Sequence, residues 1–177
     1  MKMWFFALYK GGIYMEYLDL YDNERNLTNE KICRGDEIPD NRFILLTCII
    51  IENSKNELLM QFTSPEKNSV WALTGGHVTT GEDTLSTIIR ETKEELGLNL
   101  ENDKIELITT KQCGHTFFDL YYVQKDVSIN DLILQKEEVD YVKWCTLDEL
   151  DQYINEGTLR KSNINMLNDF RKYKNLK

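Results

Sequence analysis

The residue types best suited to chemistry are grouped in one segment, Gly76 to Leu98, which reads GHVTTGEDTLSTIIRETKEELGL. On a helix with about 3.6 residues per turn, Glu95 lies at about +40° and Glu94 at about −60° from Glu91. Carboxylates this close together repel one another unless a cation neutralises them. Because every candidate ligand is an oxygen, the pattern favours Mg2+ or Mn2+ over zinc, which prefers His and Cys.

A solvated surface is the alternative, because most runs of acidic residues on helices are only that. The neighbouring residues favour the metal site. Gly75 and Gly76 end a predicted strand, at a point where the backbone must pass close to another group. Arg90 lies at about −100° on the same wheel, where it can pair with Glu94 one turn later and hold the acidic residues in place.

The helix that must position these residues is predicted from Asp83 to Leu96. Gly97 follows, where a left-handed C-terminal cap is expected. The apolar stripe is centred at about +115° from Glu91, so that the acidic residues lie beside the buried face. Its members fall within an arc of roughly 100° and are Leu85, Ile88, Ile89, Thr92 and Leu96.

The remaining pattern predicts a sheet with further helices. The run from 43 to 52 is almost continuously apolar and rich in β-branched residues, which suits a strand covered on both faces. Residues 31–39 are predicted to be a charged connector. Other strands are predicted at 16–21, 57–62, 71–74, 105–112, 116–124 and 139–144, and helices at 147–154 and 164–173. This order predicts an α+β fold, a mixed α/β/α sandwich with helices packed on a mixed sheet.

Composition limits the function classes. The 177 residues are 41% hydrophobic, which is enough for one globular domain with a sizeable core. The formal net charge of −9 argues against binding to nucleic acid or to an anionic membrane, because neither polyanion is attracted without a basic patch. The sequence shows neither a secretory signal nor a long apolar run, which predicts a cytoplasmic protein.

The first fifteen residues form a separate question. Lys10-Gly11-Gly12, followed by Ile13-Tyr14-Met15, is what a translated ribosome-binding site would look like ahead of a start codon. One hypothesis is therefore that Met15 is the natural start, with residues 1–15 an extension ahead of a single domain at 16–177. An ordinary N-terminal strand is the alternative.

The cysteines lack the paired spacings of a zinc site or a redox motif. They are widely separated, and the prediction is that they are buried free thiols rather than ligands or nucleophiles: Cys33, Cys48, Cys113 and Cys145.

The acidic segment resembles the Nudix box, Gx5Ex7REUxEExGU, in which U is a bulky aliphatic residue. Only Thr92 departs from it, replacing an aliphatic residue on the buried face, where it costs packing at most. The fixed positions all match: Gly76, Glu82, Arg90, Glu91, Glu94, Glu95, Gly97 and Leu98. The resemblance implies a Nudix fold, with a mixed sheet between helices, and cleavage of a nucleoside diphosphate linked to another moiety or of a similar small diphosphate.

The resemblance also implies roles for individual residues. Glu91 and Glu95 would be the main ligands of Mg2+ or Mn2+, and Glu94 a third or water-mediated ligand. The carbonyl of Gly76 would join the metal shell, while Glu82 and Arg90 would brace the loop and the helix. The base that accepts the proton from water would be Glu91 itself, or Glu137 or Glu138 in a later loop, whose alternative is a solvated charge.

A narrower resemblance is to the Nudix subgroup related to isopentenyl-diphosphate isomerase. It covers Glu16 to about Ile154 and includes the segments WALTGGHVTTGE and VKWCTLDEL. The isomerases carry a catalytic cysteine just before a Gly-His pair, where this chain has Gly75 before Gly76-His77, so that hydrolysis is favoured over isomerisation.

Other interpretations stay open. An isomerase-like enzyme and a non-catalytic nucleotide-sensing module are the alternative functions, and members of the family are often homodimers. His77 is interpreted first as a loop residue and His115 as structural. Aromatic residues that could stack on a base are more often core: Trp71, Phe117, Phe118, Tyr121 and Tyr122.

Overall fold

The structure of the protein, a computed structural model, describes residues 7–9 and 12–175. Strands β1 (Ala7–Tyr9) and β2 (Gly12–Tyr14) form an antiparallel pair. The hypothesis that translation starts at Met15 falls partly outside the described residues and stays a prediction.

The next two strands form a hairpin, of which only the first strand was predicted from the sequence. Strand β3 (Tyr17–Tyr21) pairs antiparallel with β4 (Leu27–Cys33). The prediction that 31–39 is a charged connector was wrong for residues 31–33. Strand β4 is largely exposed, so it lacks the apolar alternation of a half-buried strand and is held by its ladder to β3.

The main sheet is built around β5 (Ile44–Glu52), which is central as predicted. Its other strands are β6 (Leu58–Thr63), β7 (Trp71–Ala72), β8 (Thr74–His77), β9 (Glu106–Cys113), β10 (Thr116–Gln124) and β11 (Val139–Cys145). Within the described residues, the strand order is β11-β6-β5-β10-β9, with β7 beside β6 and β8 beside β5. Only the β5–β10 pair is parallel, so the sheet is mixed.

Helices cover both faces of this sheet. They are α1 (Thr84–Leu96), α2 (Leu147–Glu156) and α3 (Lys161–Tyr173), and short 3-10 turns occur at Pro65–Lys67 and Ile129–Asp131. Helix α1 buries Ile88 and Leu96 against one face. Helices α2 and α3 bury residues such as Leu150 and Phe170 against the other. The predicted α/β/α sandwich is thereby confirmed. No helix in the described part of the chain is long and apolar enough to cross a membrane.

Three details differ from the predictions. Gly75 and Gly76 lie inside β8, in register with Cys48 and Thr47, rather than after its end. Leu85, predicted on the apolar stripe, is 40% exposed, because it lies in the first turn of α1, next to the solvent-facing cap. Helix α3 begins three residues before the predicted start at 164.

The four cysteines are free thiols that differ in burial. Cys48 and Cys145 are buried, as predicted. Cys33 is half-buried and Cys113 is exposed, so the prediction of burial was wrong for these two. Both lie at the ends of strands near the rim of the fold, where neighbouring elements no longer cover the side chains.

The β3–β4 hairpin is tied to the loop that precedes α1. The amide of Thr80 donates to the carbonyl of Tyr17 at 2.9 Å. The amide of Gly81 donates to Asp19 Oδ2, also at 2.9 Å. The hairpin therefore supports the loop whose residues begin the acidic segment.

A buried ion pair holds the turn of the same hairpin to the main sheet. Arg25 donates to both carboxylate oxygens of Asp119, at 2.9 and 2.5 Å. Thr84, at the start of α1, donates to the same carboxylate at 2.6 Å, and Thr110 donates at 2.7 Å. Burial opposes ionisation of Asp119, but these hydrogen bonds outweigh it and lower its pKa.

Arg25→Gln is expected to lower the free energy of unfolding at pH 7 by about 3 kcal/mol, because it leaves a buried carboxylate without its cation. Since the pKa of Asp119 is lowered in the folded state, the pair stabilises the protein above the ordinary Asp pKa of about 4. That contribution is lost as the pH falls through the folded-state pKa. Urea unfolding should therefore show a smaller difference between the two proteins at acidic pH.

Arg42→Gln is the matched control, because it breaks an exposed ion pair with Glu30 that should contribute at most about 1 kcal/mol. Equal losses in the two variants at pH 7 would contradict the role assigned to Asp119.

Candidate active site

Both ends of α1 are capped by its own sequence. Asp83 accepts from the amide of Ser86 at 2.7 Å, and the Ser86 hydroxyl accepts in return from the Asp83 amide. Gly97 adopts the left-handed conformation at φ 67° and donates to the carbonyl of Lys93, as predicted. The direction of each acidic side chain on the helix is therefore well defined.

Arg90 and Glu82 brace the loop against the helix. Arg90 Nε and Nη2 donate to the two oxygens of Glu82 at 2.8 and 3.0 Å. Thr79 and Thr87 donate to Glu82 Oε2 as well. Burial opposes the charge of Glu82, but these hydrogen bonds outweigh it and lower its pKa to about 2. Glu82 is therefore ionised at neutral pH, and both of its carboxylate oxygens accept hydrogen bonds that hold the loop against α1.

Glu95 is buried, with 7% of its surface exposed. Its Oε2 accepts from Gln61 Nε2 at 3.0 Å, and Gln61 Oε1 accepts from the Thr74 hydroxyl at 2.9 Å. This chain of hydrogen bonds orients the carboxylate from the sheet side. Burial, together with the negative charge of Glu91, raises the pKa of Glu95 to about 8.

Glu91 lies directly against the backbone of β8. A Cβ atom added at Gly76 would be 2.3 Å from Glu91 Oε1, so only glycine leaves room for this carboxylate. Arg90 Nη1 lies 3.1 Å from the same oxygen. Burial raises the pKa of Glu91 to about 7, against the opposing effect of the Arg90 charge.

Glu94 has a different environment from its two neighbours. Its side chain is 54% exposed and accepts from Arg90 Nη1 at 2.9 Å, the pairing predicted from the helical wheel. The expectation that three carboxylates share one flank therefore holds in the structure for Glu91 and Glu95 only. Among the described residues, no group of three His, Cys, Asp or Glu side chains is arranged to hold a metal ion.

The buried Glu95 and the largely buried Glu91 nevertheless fit a divalent cation. Two anionic groups that burial and mutual repulsion push toward protonation would regain their charge beside a cation. The hydroxyl of Thr47, which is in register with Gly76, is buried without a hydrogen-bond partner among the residues described. The donors are all oxygens, which suits Mg2+ or Mn2+.

The later acidic loop also reaches this region. Glu138 is half-buried and forms an ion pair with Lys67 at 2.8 Å, and its negative charge contributes to the raised pKa of Glu95. Glu137 is exposed, and its carbonyl accepts from the Ser64 hydroxyl. Of the two base candidates in this loop, Glu138 is thus the one whose charge acts on the buried carboxylate of Glu95.

Several residues near the site carried no signal in the sequence. Gln61 orients Glu95 from a neighbouring strand. The charge of Arg34 opposes the burial that raises the pKa of Glu91, and the charge of Arg160 opposes the burial that raises the pKa of Glu95. Isolated residues of these types in strands or loops are indistinguishable from ordinary surface residues, and only the folded chain brings them to the acidic helix.

The histidines and aromatic residues are placed as follows. His77 lies in β8 and is half-buried, rather than in a loop as first interpreted. Burial and the charge of Arg34 lower its pKa to about 4, so it is neutral at neutral pH. His115 is exposed, and its Nδ1 contacts the Arg42 carbonyl. Phe118 is partly buried, and the other predicted aromatic residues are buried core: Trp71, Phe117, Tyr121 and Tyr122.

Comparisons with known proteins agree with this geometry. The model of the NUDIX domain matches residues 44–170. A Listeria innocua protein named "Uncharacterized Nudix hydrolase lin0387" is 32% identical over 149 residues, which cover 81% of this chain and 87% of the relative. The bis(5'-nucleosyl)-tetraphosphatase (asymmetrical) of Caenorhabditis elegans is 31% identical over 58% of this chain and 78% of its own length. The crystal structure of DR0079 from Deinococcus radiodurans has a TM-score of 0.72 at 22% identity, covering 86% of this chain and 96% of that one.

Proposed function

The chain belongs to the Nudix family of hydrolases, and we propose that it cleaves a diphosphate linkage in a nucleoside diphosphate derivative or a similar small organic diphosphate. The observation that carries the proposal is a pair of carboxylates held side by side on α1 with raised pKa values, the largely buried Glu91 and the buried Glu95. The name of the Caenorhabditis elegans relative supports a nucleotide-derived substrate.

The proposed ligands of Mg2+ or Mn2+ are Glu91 and Glu95, with Glu94 and the Gly76 carbonyl completing the shell directly or through water. A bound metal ion would neutralise diphosphate oxygens and lower the pKa of a bound water. Gln61 keeps Glu95 turned toward the site, and Gly76 leaves space for Glu91. The hydrogen bond between Arg90 and Glu82 holds the loop before α1 against the helix.

Proton removal from the attacking water is assigned to a carboxylate. Glu138 is the candidate outside the motif, because it is half-buried and its charge reaches Glu95. Its carboxylate also pairs with Lys67 at 2.8 Å, which fixes its position in the loop before β11. Glu91 is the candidate inside the motif.

We also propose membership of the subgroup related to isopentenyl-diphosphate isomerase, but with hydrolytic chemistry. A Cβ atom added at Gly75, the position of the isomerase cysteine, would lie 2.6 Å from the Sγ of Cys48. The thiol of Cys48, on the neighbouring strand β5, therefore occupies the space beside Gly75. Burial raises the pKa of Cys48 to about 12, so this thiol gives up its proton with difficulty at neutral pH and is a poor replacement for the isomerase cysteine.

A substrate panel with Mg2+ tests the proposal. Nucleoside diphosphates and triphosphates, nucleotide sugars, dinucleoside polyphosphates and isopentenyl diphosphate would be incubated with the full chain, and products resolved by chromatography. We expect release of a nucleoside monophosphate or another phosphate ester from at least one compound. Conversion of isopentenyl diphosphate to its dimethylallyl isomer would favour the isomerase instead. Tight nucleotide binding with no turnover of any compound would favour a sensing module.

A further inference from the structure

Arg34 and Glu16 form an ion pair at the open end of the β3–β4 hairpin. Tyr17 and Cys33 are the last residue pair of the ladder at this end. The amide of Arg34 donates to the carbonyl of Glu16 at 2.8 Å, and its Nη1 donates to Glu16 Oε2 at 2.6 Å. Both side chains are partly exposed, at 34% for Arg34 and 24% for Glu16. The pair is thus accessible to a ligand.

This end of the hairpin lies beside the candidate active site. Tyr17, the residue after Glu16, accepts the hydrogen bond from the Thr80 amide in the loop between β8 and α1. Burial raises the pKa of Glu91 and the charge of Arg34 opposes that rise; burial lowers the pKa of His77 in β8 and the charge of Arg34 adds to that effect. The guanidinium is therefore close enough to Glu91 and His77 to act on their charges.

Arg34 and Arg90 differ in how many of their guanidinium N–H groups contact carboxylates of the described residues. Arg90 bonds both oxygens of Glu82 and also contacts Glu91 and Glu94. Among the described residues, the guanidinium of Arg34 donates to Glu16 through one nitrogen, Nη1, and a guanidinium has five N–H donors in a fork that matches phosphate oxygens. In a chain of net charge −9, a partly exposed cation beside the candidate active site is a distinctive feature.

We propose that Arg34 is the anion-binding group of a substrate-phosphate subsite, and that the Glu16 carboxylate occupies this subsite when no substrate is bound. The inference rests on the proposed function, because the anion that it assigns is the substrate's diphosphate. Arg34 lies outside the segment matched by the family model, 44–170, so the motif does not assign it. Substrate binding exchanges one carboxylate for phosphoryl oxygens on the same guanidinium, and the recognised class is small compounds with a diphosphate.

Calorimetry with methylenediphosphonate tests the subsite, because its P–C–P link is not hydrolysed. The full chain would be titrated in the presence of Mg2+. Arg34→Gln should weaken binding about tenfold, the scale of one charge-assisted hydrogen bond. Glu16→Gln should instead tighten binding by about threefold, because a competing charge is removed from the subsite. Arg34→Lys should be intermediate, since it keeps the charge but loses the fork.

Arg34→Gln and Glu16→Gln break the same ion pair, so a purely structural effect would change the affinity of both variants in the same direction. Opposite changes in affinity therefore indicate that Arg34 binds the ligand. Arg42→Gln, which breaks the Arg42–Glu30 pair of the hairpin, should bind the diphosphonate as the wild type does. Unchanged affinity in Arg34→Gln, equal weakening in both variants of the pair, or no binding by the wild type would overturn the subsite. Hydrolysis of a panel compound together with unchanged Arg34→Gln binding would overturn the subsite alone. The predicted affinities without any hydrolysis would overturn the proposed function alone.

Discussion

Glu95→Gln is expected to lower kcat/KM for any hydrolysed substrate by on the order of 10³-fold, because a metal ligand, the role proposed for Glu95, supplies several kcal/mol of transition-state stabilisation. Glu95 is the more deeply buried of the two inward-facing carboxylates and is oriented by Gln61. The amide of the variant keeps the size of the side chain and removes only the charge. The measurement is the initial rate of product formation with Mg2+, using the best substrate of the panel.

Glu95→Gln should also have a higher free energy of unfolding than the wild type when EDTA is present. Burial and the charge of Glu91 raise the pKa of Glu95 to about 8, so ionising this carboxylate in the metal-free protein opposes folding. A raised pKa means that the unfolded carboxylate loses its proton more readily, and stability falls as the pH rises from about 4 toward the folded-state pKa. Glu95→Gln removes that loss, and Mg2+ should then stabilise the variant less than the wild type.

Glu101→Gln is the matched control, because Glu101 is a largely exposed glutamate just after α1 whose nearest cation is Lys93 at 3.8 Å. Its activity and its Mg2+-dependent stabilisation should equal those of the wild type. A Glu95→Gln enzyme with more than about a tenth of wild-type activity would contradict the assignment, because less than about 1.4 kcal/mol would then have been lost.

The second large effect is expected from alanine substitutions at Gly75 and Gly76 of β8. One substitution should lower stability and the other should lower activity. At Gly76, an added Cβ meets the carboxylate of Glu91 at 2.3 Å, and a carboxylate at the end of a flexible side chain can move. Gly76→Ala should therefore fold almost normally. Its kcat/KM should nevertheless fall by about 100-fold, since a displacement of about 1 Å at a catalytic group has effects of that size.

At Gly75, an added Cβ meets the backbone carbonyl of Thr47 at 2.3 Å and the Cα of Cys48 at 2.9 Å. Backbone atoms of the central strand cannot move away without disturbing the sheet. Gly75→Ala should therefore lower the free energy of unfolding by about 3 kcal/mol. Urea unfolding and initial rates, measured on both variants, check the pair of predictions. Equal stability loss in both variants would contradict the distinction between the two faces of β8.

The distinction follows from the two-residue period of a strand. Gly76 is in register with Thr47 and faces α1, whereas Gly75 is in register with Cys48 and faces away from it. The strand thus contributes one glycine to each side: one makes room for Glu91, and the other allows the close approach of β8 to β5. Both roles need an absent side chain, for different reasons.

The fold class and the acidic helix were predictable from local patterns. The apolar run of β5, the stripe of α1 and the glycine at its C-terminal cap are each set by residues adjacent in sequence. For the same reason, the Arg90–Glu94 pair was predictable from helix geometry. Strand β4 was missed because its residues are polar and exposed, and a ladder to another strand leaves no trace in such a pattern.

By itself the sequence determined which residues share the acidic helix, since a helix of about 3.6 residues per turn places neighbours at calculable angles. Only the tertiary structure decided that Glu91 and Glu95 turn inward while Glu94 remains exposed. Burial depends on what packs beside each side chain. The partners of this site come from distant parts of the chain: Arg34 from the hairpin, Gln61 from β6 and Arg160 from the start of α3. Such contacts between distant residues have no local period and exist only once the sheet and its helices are assembled.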